Sequence, residues 1–518
     1  MLKTVAAAAS LAFALTLGVP CAAAADSSAD AQTGTQSEKS GKKPKKDKKD
    51  KKDKKDQKKD DKAKKDKKAK SKKSKDGQQT NGAQAAQEAE PPSPDEGRFA
   101  TDIDAEPEPT PAEQVETGGK SGVRVSWKQH PSLRVGSVFR IDLQAKFQED
   151  IHSSYVGEPD LERAELHRNR IGVQGHLFKR IEYEVERELT EKELDAGKTP
   201  KSPWKDVYVN LDFVKNAQVK LGKFKIPFGL DQLTGVTHND FVYRSLGAIY
   251  LSPSRDIGGM VHGSFLKHGL QYWTGVFQHD GDNARSSKIA GGDETFAGRV
   301  TGTPFRAVMQ GLGEIELGSA FTISRLSDDS FRPNGLRGRT VMTQHVFYEP
   351  VYVKGNRRRW EADVDWTVGP ASARAEYTWV SDDRQQQGIG DNDLPNARAR
   401  SWYVSGTWLL TGERKTRPVK AEENFLQGGW GALELAARVE RIWFDSAGGA
   451  DDPFRNPRAE TIFPETNRAL TLGVNWTLNR FVKLQFNGIR EHVEDAERNP
   501  VQNGAAFWSR VVRLQFVL

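Results

Sequence analysis

Cysteine, long apolar runs and catalytic signatures are what this 518-residue chain has little of. The one cysteine, Cys21, lies in an N-terminal leader, and removing that leader leaves no thiol for a disulfide, a thiolate metal site or a cysteine nucleophile. Beyond the leader no stretch approaches the roughly 20 apolar residues that a membrane-spanning helix needs. A mean hydropathy of −0.70 with 36 % hydrophobic residues excludes a helical membrane bundle. It does not exclude a transmembrane β-barrel, whose polar lumen dilutes the average. There is no G-x-S-x-G and no H-E-x-x-H, and the ten histidines are scattered. No Ser–His–Asp or paired-carboxylate constellation can be argued from spacing, so no catalytic residue, cofactor or metal is assigned. HDGDN at His279–Asn283 and GDND at Gly390–Asp393 resemble pieces of calcium loops, but they lack the spacing to a terminal bidentate Glu and read as solvated loops. Gly311-Leu312-Gly313 does not open a helix after a strand, so it carries no dinucleotide signal.

What is present begins with an export signal. Lys3 precedes an apolar run from Val5 to Val19, and small residues end at Ala23-Ala24-Ala25, so cleavage is expected after Ala25. Pro20 before Cys21 fits a lipoprotein signal poorly. Residues 26–120 hold almost nothing apolar and cannot repay the entropy of folding, which predicts a disordered extension. Charge is partitioned within it. The net +7 is the sum of −1 over 1–41, +13 over 42–76 (21 Lys against 8 Asp), −8 over 77–120 and +3 over 121–518. The basic surplus therefore belongs to one KKDKKD-repeat arm, and a nucleic-acid-binding domain is not expected. That arm reads either as a tether to an anionic polymer of the cell wall or as a solvated spacer.

From Leu133 the pattern changes to period two. LRVGSVFRIDLQAKF places Leu133, Val135, Phe139, Ile141, Leu143, Ala145 and Phe147 opposite Arg134, Arg140, Asp142, Gln144 and Lys146. RWEADVDWTV and RALTLGVNWTLN alternate in the same way, and about sixteen such segments of about ten residues can be marked. Their links alternate in length. Short ones fall near Lys179-Arg180, Lys215-Asn216, His268-Gly269, Gly369-Pro370 and Asn479-Arg480. Long polar loops fall near 148–162, 190–204, 225–257, 280–294, 326–358, 381–400, 446–467 and 491–506, and intermediate links near 304–312 and 411–431. A soluble β-sandwich also alternates. The export signal, the lack of cysteine, and tryptophans at segment ends favour an outer-membrane barrel instead: Trp366 and Trp379 about the Gly369-Pro370 turn, with Trp402, Trp443, Trp476 and Trp508 as girdle residues. The closing Gln515-Phe516-Val517-Leu518 lacks the terminal aromatic residue usual for such barrels.

RNRIGVQGHLFKRIEYEVE, VYVNLDFVKNAQVKLGKFKIPFGLDQLTG, VYRSLGAIYLSPSRDIG, WYVSGTWLLTGE and VVRLQFVL resemble the phosphate-selective porin O and P family over roughly residues 133–518. The resemblance implies a sixteen-stranded antiparallel barrel, trimeric in the outer membrane of a Gram-negative bacterium, with the third long loop folded inward and an arginine-lined anion path. Residues 1–25 would then be the signal peptide, 26–120 a periplasmic extension and 121–518 the barrel.

The candidate anion path comprises Arg140, Arg168, Arg170, Lys225, His238, Arg244 and Arg255. Arginine suits oxyanions because its planar fork donates two hydrogen bonds at once, but the same residues suit salt-bridged lumen walls. If the turn occupies 178–180, Arg170 lies opposite Glu188 and His176 opposite Glu182, which would neutralise that wall locally. In the third loop Arg255 could pair with its neighbour Asp256 rather than meet ions. Phosphate-specific members of the family carry a lysine soon after the FGL motif, where LTGVTHND here offers Thr237 and His238. The expected function is passive diffusion of small hydrophilic solutes with preference for anions such as phosphate, the alternative being a structural envelope anchor held by residues 42–76.

Overall fold

The computed structural model describes residues 122–518 apart from 128–129, 137, 157, 160–162, 191–202, 267–268, 282–293, 306–310, 328–332, 344, 448–455 and 495–504. The leader, the lysine-rich arm and the acidic stretch lie outside the described residues, and so do the readings made of them. No described helix is long and apolar enough to cross a membrane.

The alternating segments form sixteen barrel strands. They are β1 Phe139–Val156, β2 Arg163–Leu177, β3 Ile181–Glu188, β4 Trp204–Val214, β5 Ala217–Lys225, β6 Arg255–Phe265, β7 Leu270–Phe277 and β8 Thr295–Gly302. Then follow β9 Glu314–Leu326, β10 Gly355–Val368, β11 Ala371–Arg384, β12 Leu394–Leu409, β13 Ala432–Ser446, β14 Glu465–Thr477, β15 Val482–Glu494 and β16 Ala505–Val517. Every neighbour is antiparallel, and β16 pairs with β1 from Ser509↔Ser154 to Val517↔Lys146, which closes the sixteen strands on themselves. The register of β2 and β3 sets Arg170 opposite Glu188 and His176 opposite Glu182, as the turn at 178–180 predicts.

Two boundaries differ from the sequence expectation. The run from Leu133 to Phe147 is not one strand: Gly136, at φ +55, turns the chain so that Pro131–Val135 folds back on the start of β1, with Val135 opposite Phe139. Loops expected at 148–162 and 381–400 are shorter, because β1 continues to Val156 and β11 to Arg384. Polar residues there alternate as lumen-facing strand positions, which composition alone cannot tell from loop.

Aromatic residues mark both rims. Trp366 donates Nε1–H to the Leu312 carbonyl at 2.7 Å and Trp476 to that of Trp430 at 2.7 Å, both at the short-link rim. Trp379 does not flank the Gly369-Pro370 turn; it pairs with Trp360 nearer the long loops. At the short-link rim Tyr183 lies across from Gly175 and Tyr272 across from Gly263, each hydroxyl donating to a carbonyl one strand further on, of Arg140 at 3.1 Å and Asn216 at 2.9 Å. A Cβ on either glycine would meet that same carbonyl oxygen at 1.9 Å, so the two tyrosine bridges require glycine.

The lumen is filled by loops. The stretch KIPFGL turns the chain off the wall: Ile226 and Phe228 bury with Phe224, Met260 and Phe277, and Gly229 adopts φ +81. Residues 226–254 then cross the interior, with short helices at Leu230–Leu233 and Leu246–Tyr250, the second capped by Ser245. The loop between β9 and β10 also folds in. Its Leu336, Val341, Phe347 and Val351 pack on Leu246, Ile249 and Tyr250. The inner face of the long-loop half of β11–β16 is correspondingly apolar, with Val380, Ile442, Phe444, Ile489 and Val493 buried in that cluster.

Candidate functional site

The third loop is held across the lumen by wall side chains. Arg513 on β16 donates to the Val242 carbonyl at 2.9 Å, and Arg438 on β13 donates to those of Tyr243 and Arg244 at 3.0 and 3.2 Å. Lys483 reaches the Asn239 carbonyl at 2.8 Å and Asn475 that of Asp240 at 2.9 Å. Carboxylates of the wall take amide N–H groups from the loop: Glu376 from Asp231 at 3.0 Å and Glu440 from Leu246 at 2.5 Å. Lys415, from the link between β12 and β13, bridges Asp240 on the loop and Glu434 on the wall. Burial alone would raise the Asp240 carboxyl, but Lys415, Arg417 and Arg374 outweigh it and hold the group well below the usual carboxylate range. Beside these residues a cavity of about 10 Å³, room for about one water, is lined by Asp231, Asp240, Tyr243, Arg374, Tyr403 and Arg438.

The residues predicted for an anion path take varied places. Arg140 faces inward on β1 with Asp142 at 2.7 Å. Arg168 and Arg170 are buried; Arg168 donates to Gln148, while Arg170 meets Glu188 at 2.7 Å and Glu186 at 3.1 Å. Lys225 donates to the Gln232 carbonyl and Arg244 to that of Thr234, so both clasp the third loop's own turns. His238 ends the short Val236–His238 turn. Arg255 does not pair with Asp256. It reaches Asp206 on β4 at 2.6 Å, whereas Asp256 takes the ring of His279 at 3.1 Å, because the two neighbours alternate on a strand and point apart.

Sequence reasoning missed the inward cations Lys220 on β5, Arg357 and Arg359 on β10 and Arg384 on β11, and Arg458 in the link after β13. Arg357 and Arg359 both hold Asp280 at 2.6 Å, so this carboxylate is not solvated; Asp282 and Asn283 of HDGDN lie outside the described residues. Among the described residues no cluster of His, Cys, Asp and Glu is arranged to hold a metal. Lys220, 3 % exposed, lies over the Tyr208 ring at 4.1 Å, and none of its described contacts is an ion pair. At the long-loop mouth Arg384 ends on the carbonyls of Tyr352, Pro395 and Pro457 at 3.1–3.4 Å. Arg458 ends on the Gln387 carbonyl and side-chain oxygen, both at 3.0 Å, and stacks on Tyr352 at 3.9 Å. The signal that would have found Arg357, Arg359 and Arg384 is their inward parity at the ends of long strands, which needs the correct strand boundaries; Arg458 lies in the link after β13, where parity gives no signal.

The profile described as "Phosphate-selective porin O and P" matches residues 141–518. Porin O of Pseudomonas aeruginosa is 22 % identical over 377 residues, covering 67 % of this chain and 80 % of that protein. Among solved structures, OmpT of Vibrio cholerae covers 73 % of this chain and 98 % of its own at 12 % identity and a TM-score of 0.47. An anion-selective porin from Comamonas acidovorans covers 73 % and 99 % at 12 % identity and a TM-score of 0.46.

Proposed function

Because the chain belongs to the phosphate-selective porin O and P family, we propose that this outer-membrane porin passes small hydrophilic solutes by diffusion with a preference for anions such as phosphate. Family and fold point to a channel rather than an enzyme.

The observation that carries the anion preference is the arginine pair at the long-loop end, Arg458 exposed and Arg384 buried behind it. Arg384 and Arg458 end on carbonyl and amide oxygens, whose dipoles orient a guanidinium without cancelling its charge. Arg170, Arg255, Arg299 and Arg357, by contrast, lie against carboxylates and brace the wall. Selectivity therefore rests on cations that meet no carboxylate among the described residues; Lys225, His238 and Arg244 contribute by shaping the third loop, and Arg168 braces the wall through Gln148. Thr237 and His238 stand where a phosphate-specific member has lysine, which supports a general anion pore. The homotrimer and the periplasmic placement of the N-terminal extension belong to the same reading.

Reversal potentials of the purified protein in a planar bilayer under a KCl gradient test it. A chloride-selective potential is expected, and clear cation selectivity would overturn the anion reading. Native mass spectrometry in detergent tests the trimer, which a monomer as the sole species would refute.

A further inference from the structure

The outer wall is apolar over much of its circumference. On β7–β9 the exposed outward side chains include Val276, Phe296, Val300, Phe321 and Ile323. The sector β12–β16 differs. Toward the long-loop rim its outward positions hold Arg398, Arg400, Arg441, Arg468, Arg490 and Arg510. The register gathers them: Trp402, Arg441, Arg468 and His492 form one row across four strands, Arg400 lies opposite Trp443, and Arg490 opposite Trp508.

The carboxylates on this face of the described strands are Asp445 and Glu494, two against six arginines. Asp445 takes Arg398 at 2.7 Å and Arg400 at 3.6 Å, and Glu494 takes Arg468 at 3.0 Å. Arg441 ends on the Thr466 hydroxyl at 3.1 Å and over the Trp443 ring at 5.2 Å. Arg490 and Arg510 are exposed and have no ion-pair partner among the described residues.

Height decides what such a patch meets. Arg490 is eight residues from the start of β15 at Val482. At about 3.4 Å per residue and a tilt of about 40°, that is roughly 20 Å above the short-link rim, near the top of an apolar band about 25 Å tall. An arginine at the middle of the hydrocarbon costs about 2–4 kcal/mol, falling to about 0–1 kcal/mol at the interface. At the interface the guanidinium forks meet headgroups, and the tryptophans beside them occupy their usual girdle level. A second copy of the same face would set arginines against arginines. A phosphate-bearing headgroup supplies the missing negative charge in a geometry that the guanidinium fork matches.

We propose that the outward arginine sector of β12–β16 binds the phosphate groups of an anionic lipid in the leaflet at the long-loop rim. This rests on the barrel's place in the outer membrane, not on the selectivity of its pore. Native mass spectrometry of the detergent-solubilised protein, with diphosphoryl lipid A and its fully dephosphorylated counterpart as probes, tests it. The wild type should retain the diphosphorylated form at least tenfold more tightly. The combined variant Arg400→Gln, Arg441→Gln, Arg468→Gln, Arg490→Gln should lose that preference at unchanged single-channel conductance, because these side chains face away from the lumen. Equal retention of the two lipids by the wild type overturns the proposal, and that comparison alone decides if the variant fails to fold. So does a phosphate preference that survives the four substitutions. Subunit dissociation in the variant with the preference intact would assign the face to a second copy instead.

Discussion

Lys415 offers a direct measure of what holds the third loop in the lumen, because its enclosed ammonium serves two carboxylates at once, Asp240 on the loop and Glu434 on β13. Lys415→Met keeps much of the side-chain volume and removes the charge. Each charge-assisted hydrogen bond contributes about 1.5–3 kcal/mol, so losing two removes about 3–6 kcal/mol. Part is recovered. Arg417 remains 3.6 Å from Asp240, and Asn475 still donates to Glu434 at 3.0 Å. The expected net loss is about 3 kcal/mol, at the lower end of what breaking a buried ion pair costs. The assay is urea unfolding of the barrel in detergent micelles, followed by tryptophan emission, for wild type, Lys415→Met, Asp240→Asn and the double variant. The cycle isolates the pair, and its coupling energy should be about 1.5–3 kcal/mol. A coupling within about 0.5 kcal/mol of zero, with single-channel noise unchanged in Lys415→Met, would show that other contacts hold the loop and refute the reasoning.

Other outcomes follow from the same geometry. Asp240 has a carboxyl lowered in the folded protein, so its contribution is fully present above the unfolded value of about 4 and is lost as pH falls through the folded value; open-channel noise in the wild type should stay constant down to about pH 4 and rise only below it. Arg384→Gln combined with Arg458→Gln should move the reversal potential toward cation selectivity, whereas Arg170→Gln should leave it unchanged and lower stability by about 2 kcal/mol, since Glu188 loses its arginine while Glu186 keeps Lys146. The opposite assignment of effects in bilayer and urea measurements would invert the division between conducting and bracing arginines. Gly229→Ala should cost about 1–2 kcal/mol in urea unfolding, because φ +81 disfavours any Cβ and the added methyl meets Ser252 Oγ at 3.0 Å and Glu376 Oε1 at 3.1 Å. A neutral result would show that the loop can shift at its entry.

Much of the wall was legible because a strand's faces alternate with a fixed period. The parity of Ile171 and Val173 requires Arg168 and Arg170 to face inward, and the turn length at 178–180 sets Arg170 against Glu188. Parity fails where the lumen itself is apolar. On β13 the inward positions run Glu434, Ala436, Arg438, Glu440, Ile442, Phe444, and the last two are apolar because loops fill the long-loop half of the barrel. A rule of polar-in and apolar-out cannot anticipate a second core inside the barrel.

By itself the sequence determined a wall of about sixteen strands with one polar and one apolar face, because period-two alternation is a local property of the chain. Only the tertiary structure decided which carboxylate each inward arginine meets. Arg255 stands beside Asp256 in sequence yet meets Asp206, which lies 49 residues before it, and Asp280 draws in Arg357 and Arg359 across 77 and 79 residues. Pairing across a closed barrel depends on register and on where the inward loops come to rest, and composition holds no record of either.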